Sequence, residues 1–401
     1  MHVDSVADIF APAVLEDPYP WYSELRGAAP VSRIPGTSFH LVSTWDAVHE
    51  ATSRNDDFSS NLTAALLNEG GSIGVFEMDP DGSAHHVLAT GDDPWHARER
   101  KLVLPTLVAK RIRALEPAIA ATSEQLWREG LCGNMIEWMS AMGDRLPMTI
   151  VAALIGLPRQ DADQLVAWGY ASTEMLGGML PMERLAQVVE STVRLAGYLR
   201  DAFHDARARP ADNLLGDLAR AVNAAEIDED TAILILVQLV GAGGESTAGL
   251  IGNAVRVLGE HPDVQKAVRR DPALISALLE ETLRFESPFR GHHRHVTVDT
   301  TLSGVALSAG SHLLLLWGSA NRDPAAFDNP DDVLLDRASP RRHLAFGNGA
   351  HFCVGAALAR LEARITLQTL LGATQWFDIA AAQWLPSIFV RRHRSLLLEV
   401  R

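Results

Sequence analysis

The stretch Glu229–Leu258 places apolar residues at three- and four-residue spacing and leaves no continuous polar face. A helix with that pattern has to be buried on most sides, which requires a large surrounding domain. Its most apolar part, Ala232–Gly244, contains Gln238 and stops at Glu245. That run is shorter than the ~18 residues a membrane span needs, so the expectation is a core helix and no membrane. Glycines cluster in Gly241-Ala242-Gly243-Gly244-Glu245-Ser246-Thr247-Ala-Gly249. Each costs roughly 1 kcal/mol against alanine in a helix interior, so something calls for the removal of side chains there. A ligand pressed against an interrupted helix is one reason, and close packing through small residues is another. Glu245, Ser246 and Thr247 beside the cluster can carry protons or bend the helix by bonding back to its carbonyls.

Helical periodicity recurs in Ser43–Thr52, Ala109–Arg128, Gly143–Gly156, Gln160–Met175, Met182–Arg207, Pro262–Arg270, Pro272–Phe285 and Gly355–Leu371. Strand-like text is confined to Val31–Ile34, Phe39–Val42, His295–Val298, Thr301–Leu307, Leu313–Leu316 and a terminal hairpin from Ile388 to Val400. The fold class is therefore mainly α with small β-sheets. No repeat or linker divides the chain, so residues 1–401 are expected to form a single large domain. Residues Ser59–Asp93, rich in Gly and Asp, read as a long loop with a short helix.

Acidic residues outnumber basic ones, 50 to 35, for a net charge of −15. That balance excludes a generally basic nucleic-acid binder. Two cysteines, Cys132 and Cys353, cannot form a disulfide framework or a CxxC zinc module. With Asp4 and Asp8 near the start and no basic-then-apolar pattern, the N-terminus is not a secretory leader, and a cytoplasmic setting is expected.

Cys353 follows a glycine-rich segment, His343-Leu-Ala-Phe346-Gly-Asn-Gly349-Ala-His351-Phe-Cys353-Val-Gly355, and precedes an apolar helix. A thiolate at a helix N-terminus is stabilised by free N–H groups, which suits a metal ligand or a nucleophile. A buried structural cysteine remains the plain alternative, and it is the one for Cys132. Glu281 falls in the middle of the apolar stripe Leu274, Leu278, Phe285, with Arg284 at its edge. A pair so placed should be buried, and buried charges must be matched. His96 and Arg100, one turn apart, could clamp an anion or form a solvated face. Arg294 lies in the histidine-dense run Arg290-Gly-His292-His293-Arg294-His295, where alternate side chains of a strand point to opposite faces, against a zinc site. Arg337 follows an acidic turn and could be an ion-pair partner.

Taken in order, these segments resemble the cytochromes P-450, and specifically the soluble bacterial haem-thiolate monooxygenases. Phe346-x-x-Gly349-x-His351-x-Cys353-x-Gly355 matches that family's ligand loop, Glu281-x-x-Arg284 its buried motif, completed by an arginine near Asp336-Arg337, and Ala242-Gly243-Gly244-Glu245-Ser246 its oxygen-activation segment. The resemblance implies haem b (iron protoporphyrin IX) with an axial thiolate from Cys353. It also implies propionate donors at His96, Arg100, Arg294 and His351, haem contacts at Ala242, Gly243, Phe346 and Gly355, and proton relay through Glu245 and Ser246. Ser246 departs from the family's usual threonine; serine lacks the methyl that stiffens the side chain, which puts coupling of electrons to product in question.

By the same resemblance the Ser59–Asp93 loop, Phe289–His293 and Phe389-Val390 line a substrate pocket. Arg290, His292 and His85 or His86 among apolar groups suggest a natural-product intermediate such as a peptide, a cyclic dipeptide or a polyketide. The partners implied are a small-molecule substrate, O2, and a ferredoxin with its ferredoxin reductase, because no flavin or nicotinamide motif is present. Arg341, Arg342, Arg360 and Arg364 could form a docking patch for an acidic ferredoxin, or be ordinary solvated arginines. Hydroxylation, epoxidation, dealkylation and oxidative carbon–carbon or aryl coupling start from the same chemistry. A non-catalytic haem-binding sensor, and a zinc or cysteine hydrolase built on Cys353, are the competing classes.

Overall fold

The central helix runs unbroken from Glu229 to Glu260 in the computed structural model, which describes residues 6–401. Asp4 therefore lies outside the described residues. Asp228 caps the helix by accepting the Thr231 N–H at 2.7 Å, and Glu229 and Asp230 complement the positive end of its dipole. The glycines thin this helix without interrupting it, contrary to the sequence expectation. A Cβ on Gly244 would lie 2.5 Å from Met148 Cε, and one on Gly243 2.7 Å from a Val151 methyl. Close contact with the helix Arg145–Ile155 is thus the reason for those two glycines. By length and hydropathy the helix could cross a bilayer. Its side chains are instead shared between two interior clusters, Ile235, Leu236 and Val240 in one and Leu250, Ile251, Val255 and Leu258 in the other.

The helices Arg145–Ile155, Ala162–Glu174, Ile275–Phe285 and Ala356–Ala373 pack around it. The stretch Ala109–Arg128, read as one helix, is two, Ala109–Ala114 and Glu116–Gly130. Pro117 has no N–H to continue a helix from residue 113 but fits the first turn of a new one. Among the helices that periodicity missed are Tyr19–Ala28, Trp95–Val103 and Leu214–Asn223. The last could have been found from Asn213, whose side chain accepts the Gly216 N–H at 2.9 Å.

The main sheet orders Val31–Arg33, Phe39–Val42, His312–Leu315, His292–Val296 and Phe58–Ser59. Leu313 sits opposite Arg294 in it, so a central strand fixes that arginine. The Ser59–Asp93 segment is corrected from loop to hairpin: Ala64–Glu69 pairs with Ser72–Glu77 across Gly70-Gly71, both at positive φ. That two-glycine turn is the signal the composition reading passed over. The terminal hairpin pairs Phe377–Trp384 with His393–Val400, so its first arm lies earlier than Ile388.

Candidate active site

A cavity of about 250 Å³ lies between the central helix and the loop that carries Cys353. The loop's geometry follows from its glycines. Gly347 and Gly349 have φ of +70° and +67°, and a Cβ on Gly349 would stand 2.8 Å from the Thr52 carbonyl oxygen. Phe346 and Cys353 close the loop, the Cys353 N–H donating to Phe346 O at 2.9 Å. Burial pushes the Cys353 thiol above its usual range. The N–H groups of Gly355 and Ala356 and the charges of Arg100 and Arg360 pull against that without overcoming it.

His96, Arg100, Arg294 and His351 all reach the cavity wall. The rings of His96 and His351 stack with centroids 4.0 Å apart. Arg100 donates to Phe352 O at 2.6 Å. Arg294 donates to His293 O at 2.8 Å, and its Nε has no partner. Burial and the neighbouring cations lower the His351 ring to about 3 and, with a pull the other way from Asp92, burial lowers Arg294 to about 10. Among the described residues neither Arg100 nor Arg294 has a carboxylate within ion-pair reach. Two guanidinium groups converging on a cavity without a carboxylate of their own suit an anion from outside the chain.

Arg284 and Glu281 are buried together, with Nη2 2.7 Å from Oε1, and Arg337 Nε closes on the same carboxylate at 2.8 Å. No group of three or more His, Cys, Asp or Glu among the described residues is disposed to hold a metal ion.

Residues 207–380 match the family model described as Cytochrome P450. The chain is 52% identical over 394 residues to Cytochrome P450 144 of Mycobacterium tuberculosis, covering 98% of this chain and 91% of that one. The chain belongs to the cytochrome P450 family. It is also 32% identical over 324 residues to the Polyketide biosynthesis cytochrome P450 PksS of Bacillus subtilis, covering 79% of this chain and 78% of that one.

 Among solved structures, cytochrome P450 CREJ in complex with (4-ethylphenyl) dihydrogen phosphate superposes with a TM-score of 0.89 at 29% identity, covering 96% of this chain and 98% of that one.

As a cytochrome P450 the chain is a monooxygenase that carries haem with the Cys353 thiolate as axial ligand. The residues present fit that group. The thiol that burial holds protonated is the kind a bound metal's charge deprotonates outright. Arg100, Arg294, His96 and His351 supply donors for two carboxylates, and the unpartnered Arg294 Nε is a donor left over for one of them.

Four sequence expectations need correction. Glu245 is off the cavity wall: it accepts from Thr173 Oγ1 at 2.5 Å and from Arg392 Nε at 2.9 Å. Arg290 is also off the wall, donating to the carbonyls of Val14 and Leu15 and so tying the N-terminal segment down. Phe389 and Val390 sit one layer back, with the Phe389 ring 4.8 Å from that of Phe289, which does line the cavity. His85 bonds Thr231 at 3.1 Å and His86 lies by Asp79, so neither faces a substrate. Ala242, Gly243, Ser246, Phe289, His292, Phe346 and Gly355 are on the wall.

Among the wall residues that the sequence reading did not place at the site are Gln238 and Glu362. Glu362 is buried with Oε2 unpartnered, and burial raises its carboxyl well above the usual range, disfavouring the ionised form. Gly355, Leu358 and Glu362 recur at three- and four-residue spacing, so the helical arithmetic used for Glu281 would have found it.

Proposed function

We propose that this cytochrome P450 oxidises a largely apolar natural-product intermediate, a polyketide or a peptide-like body with few hydrogen-bonding groups, using electrons from a separate ferredoxin and its reductase. The composition of the cavity wall carries this reading. Away from the residues grouped around Cys353 it offers Leu88, Val151, Leu154, Leu239, Leu250 and Phe289, with Thr106, Gln238, Ser246, Thr247 and His292 among its polar members. The His292 Nδ1 already accepts from Trp317 Nε1 at 2.7 Å, and burial with nearby cations lowers the ring to about 3, so it meets a substrate as a neutral group. The loss of Arg290, His85 and His86 from the wall shifts the reading toward the apolar end of the range. The name of the PksS relative supports the polyketide class.

Haem, when bound, supplies the activation of dioxygen and the transfer of one oxygen atom to the substrate. The chain's own residues do the rest. In this reading His96, Arg100, Arg294 and His351 hold the two propionates. Ser246 Oγ donates to Ala242 O at 2.7 Å, and its hydroxyl stands on the wall where a proton is needed. With Glu245 bound to Thr173 and Arg392, the hydroxyls nearest the cavity are those of Ser246 and Thr247.

Ser246→Ala is expected to reduce product formed per reducing equivalent by roughly tenfold, short of the ~hundredfold cost of a sole proton donor, because Thr247 remains. Measuring product against NADPH consumed checks it, and unchanged coupling would take Ser246 out of the proton path.

For electron delivery, Arg341 is exposed and only loosely paired, with Nε 3.8 Å from Glu280, whereas Arg360 and Arg364 are engaged by Glu280 and Glu116 at 2.6 Å and 2.8 Å. The docking patch is therefore smaller than the four arginines suggested. Ligand-induced shifts of the Soret band test the substrate reading. Polyketide and cyclic-peptide scaffolds are expected to shift it, and a response confined to plain hydrocarbons or fatty acids would overturn the proposal. Reconstitution with ferredoxin and its reductase tests the electron source.

A further inference from the structure

Glu280 stands beside Glu281 in sequence but serves a different arginine. Its carboxylate is buried and accepts two hydrogen bonds from Arg360, Nε to Oε1 at 2.6 Å and Nη2 to Oε2 at 2.8 Å. His343 Nε2 lies 3.1 Å from Oε2. Burial pushes the Glu280 carboxyl up, but His343 and Arg360 bring it down to about 2, so it is ionised throughout the neutral range. The remaining Arg360 nitrogen reaches back one helical turn to Ala356 O at 3.3 Å. Held this way, the guanidinium lies over the Phe346 ring with Cζ 4.4 Å from the centroid. A bidentate pair and an aromatic face fix an arginine far more tightly than a solvated surface position does. The cation is the end of the pair that touches the Cys353 loop, and it is one of the two arginines that favour the ionised Cys353.

We propose that Arg360 is a positioning residue whose guanidinium, locked by Glu280 and laid flat on Phe346, holds a fixed positive charge beside the Cys353 loop and raises the reduction potential of the haem. Reduction adds an electron to a thiolate-ligated centre, and a nearby cation favours the more negative of the two states. Charge around a metal ligand tunes the metal as its direct ligands do. The inference rests on the chain's membership of the haem-thiolate family and on no particular substrate or redox partner.

The test is potentiometric titration of the haem-loaded protein without a redox partner, for wild type, Arg360→Gln and Arg360→Lys. Arg360→Gln is expected to lower the midpoint potential, making one-electron reduction about three- to tenfold less favourable, where tenfold is ~59 mV. Arg360→Lys keeps a charge but can neither grip both Glu280 oxygens nor lie flat on the ring, so its midpoint should fall in the same direction by less. An Arg360→Gln protein that binds haem with an unchanged midpoint overturns the proposal, whether it unfolds more easily, as a purely structural arginine would make it, or takes electrons from ferredoxin more slowly, as a docking arginine would. Should Arg360→Gln fail to hold haem, Arg360→Lys decides, and an unchanged midpoint there overturns the proposal equally.

Discussion

Cys353→Ser protein, reduced under carbon monoxide, is expected to show no strongly red-shifted Soret band and to form no oxidised product. The setting of Cys353 explains why the nearest isostere fails. Burial already holds the thiol above its usual range, against two backbone N–H groups and the charges of Arg100 and Arg360. A bound metal's charge overcomes that deficit for a thiol, which starts near pH 8.5 and is a soft, polarisable ligand. A serine hydroxyl starts many units higher and offers a hard oxygen. Group loss also costs stability: a ligand present at a thousandfold above its Kd contributes about 4 kcal/mol, so weakened haem retention should move the thermal midpoint toward that of the apoprotein. Spectra of the ferrous–CO complex and thermal unfolding of both proteins check the two expectations. A Cys353→Ser protein with the red-shifted band intact would mean that another residue ligates the iron.

The parts of this site that were legible in the sequence are those where local chemistry and helical arithmetic both act over short distances. The Cys353 loop is read from glycines that only a tight turn needs, and the burial of Glu281 and Arg284 from 100° per residue along one helix. Glu362 is equally readable from the same arithmetic along Ala356–Ala373. The hairpin Ala64–Glu69 with Ser72–Glu77 was masked by its composition, since its alternation is weak and the two-glycine turn is its clearest mark.

What was not legible depends on long-range partners. Glu245 follows Gly244 on a helix that faces the cavity at Ala242, Gly243 and Ser246, yet its own direction is set by Thr173 and Arg392, far away in sequence. Arg290 sits next to wall residue Phe289, but its Nη1 and Nη2 donate to the Val14 and Leu15 carbonyls. Neighbours in a chain can point to opposite sides of an element, so a pocket list made from contiguous segments includes residues of both faces. The substrate expectation inherited that error, because of its polar members only His292 is on the wall, while Arg290, His85 and His86 are not.

Glu281→Ala should be the most destabilising single change outside the ligand loop, lowering folding stability by about 3–5 kcal/mol and with it haem retention. Arg284 is 1% exposed, and besides Glu281 it donates to the carbonyls of Asn321, Pro330 and Asp332 at 3.1, 2.6 and 2.9 Å. Arg337 donates to Asp328, Asn329 and Asp332, and the Leu334 N–H to Glu281 itself at 3.0 Å. The carboxylate is therefore the one anion that binds two arginines and the segment 328–337 to the helix Ile275–Phe285. Its removal leaves both cations buried without a counter-charge. From there the chain runs directly into the Cys353 loop, where Leu344 N donates to Asn321 Oδ1 at 2.6 Å, so disorder in the segment reaches the haem ligand. Glu281→Gln keeps an acceptor but loses the charge, and should lie between wild type and alanine. The pH dependence has a defined sign. Burial pushes the Glu281 carboxyl up, but Arg284, the Leu334 N–H and Arg337 together hold it below the ordinary 4.5. A depressed carboxylate contributes its stability above the unfolded value and loses it as the pH falls toward the folded one. The gap between wild type and Glu281→Ala, measured by urea unfolding at a series of pH values, should be full at neutral pH and close below about 4.5. A gap that stayed constant through that range would show that packing, not charge, is what the glutamate contributes.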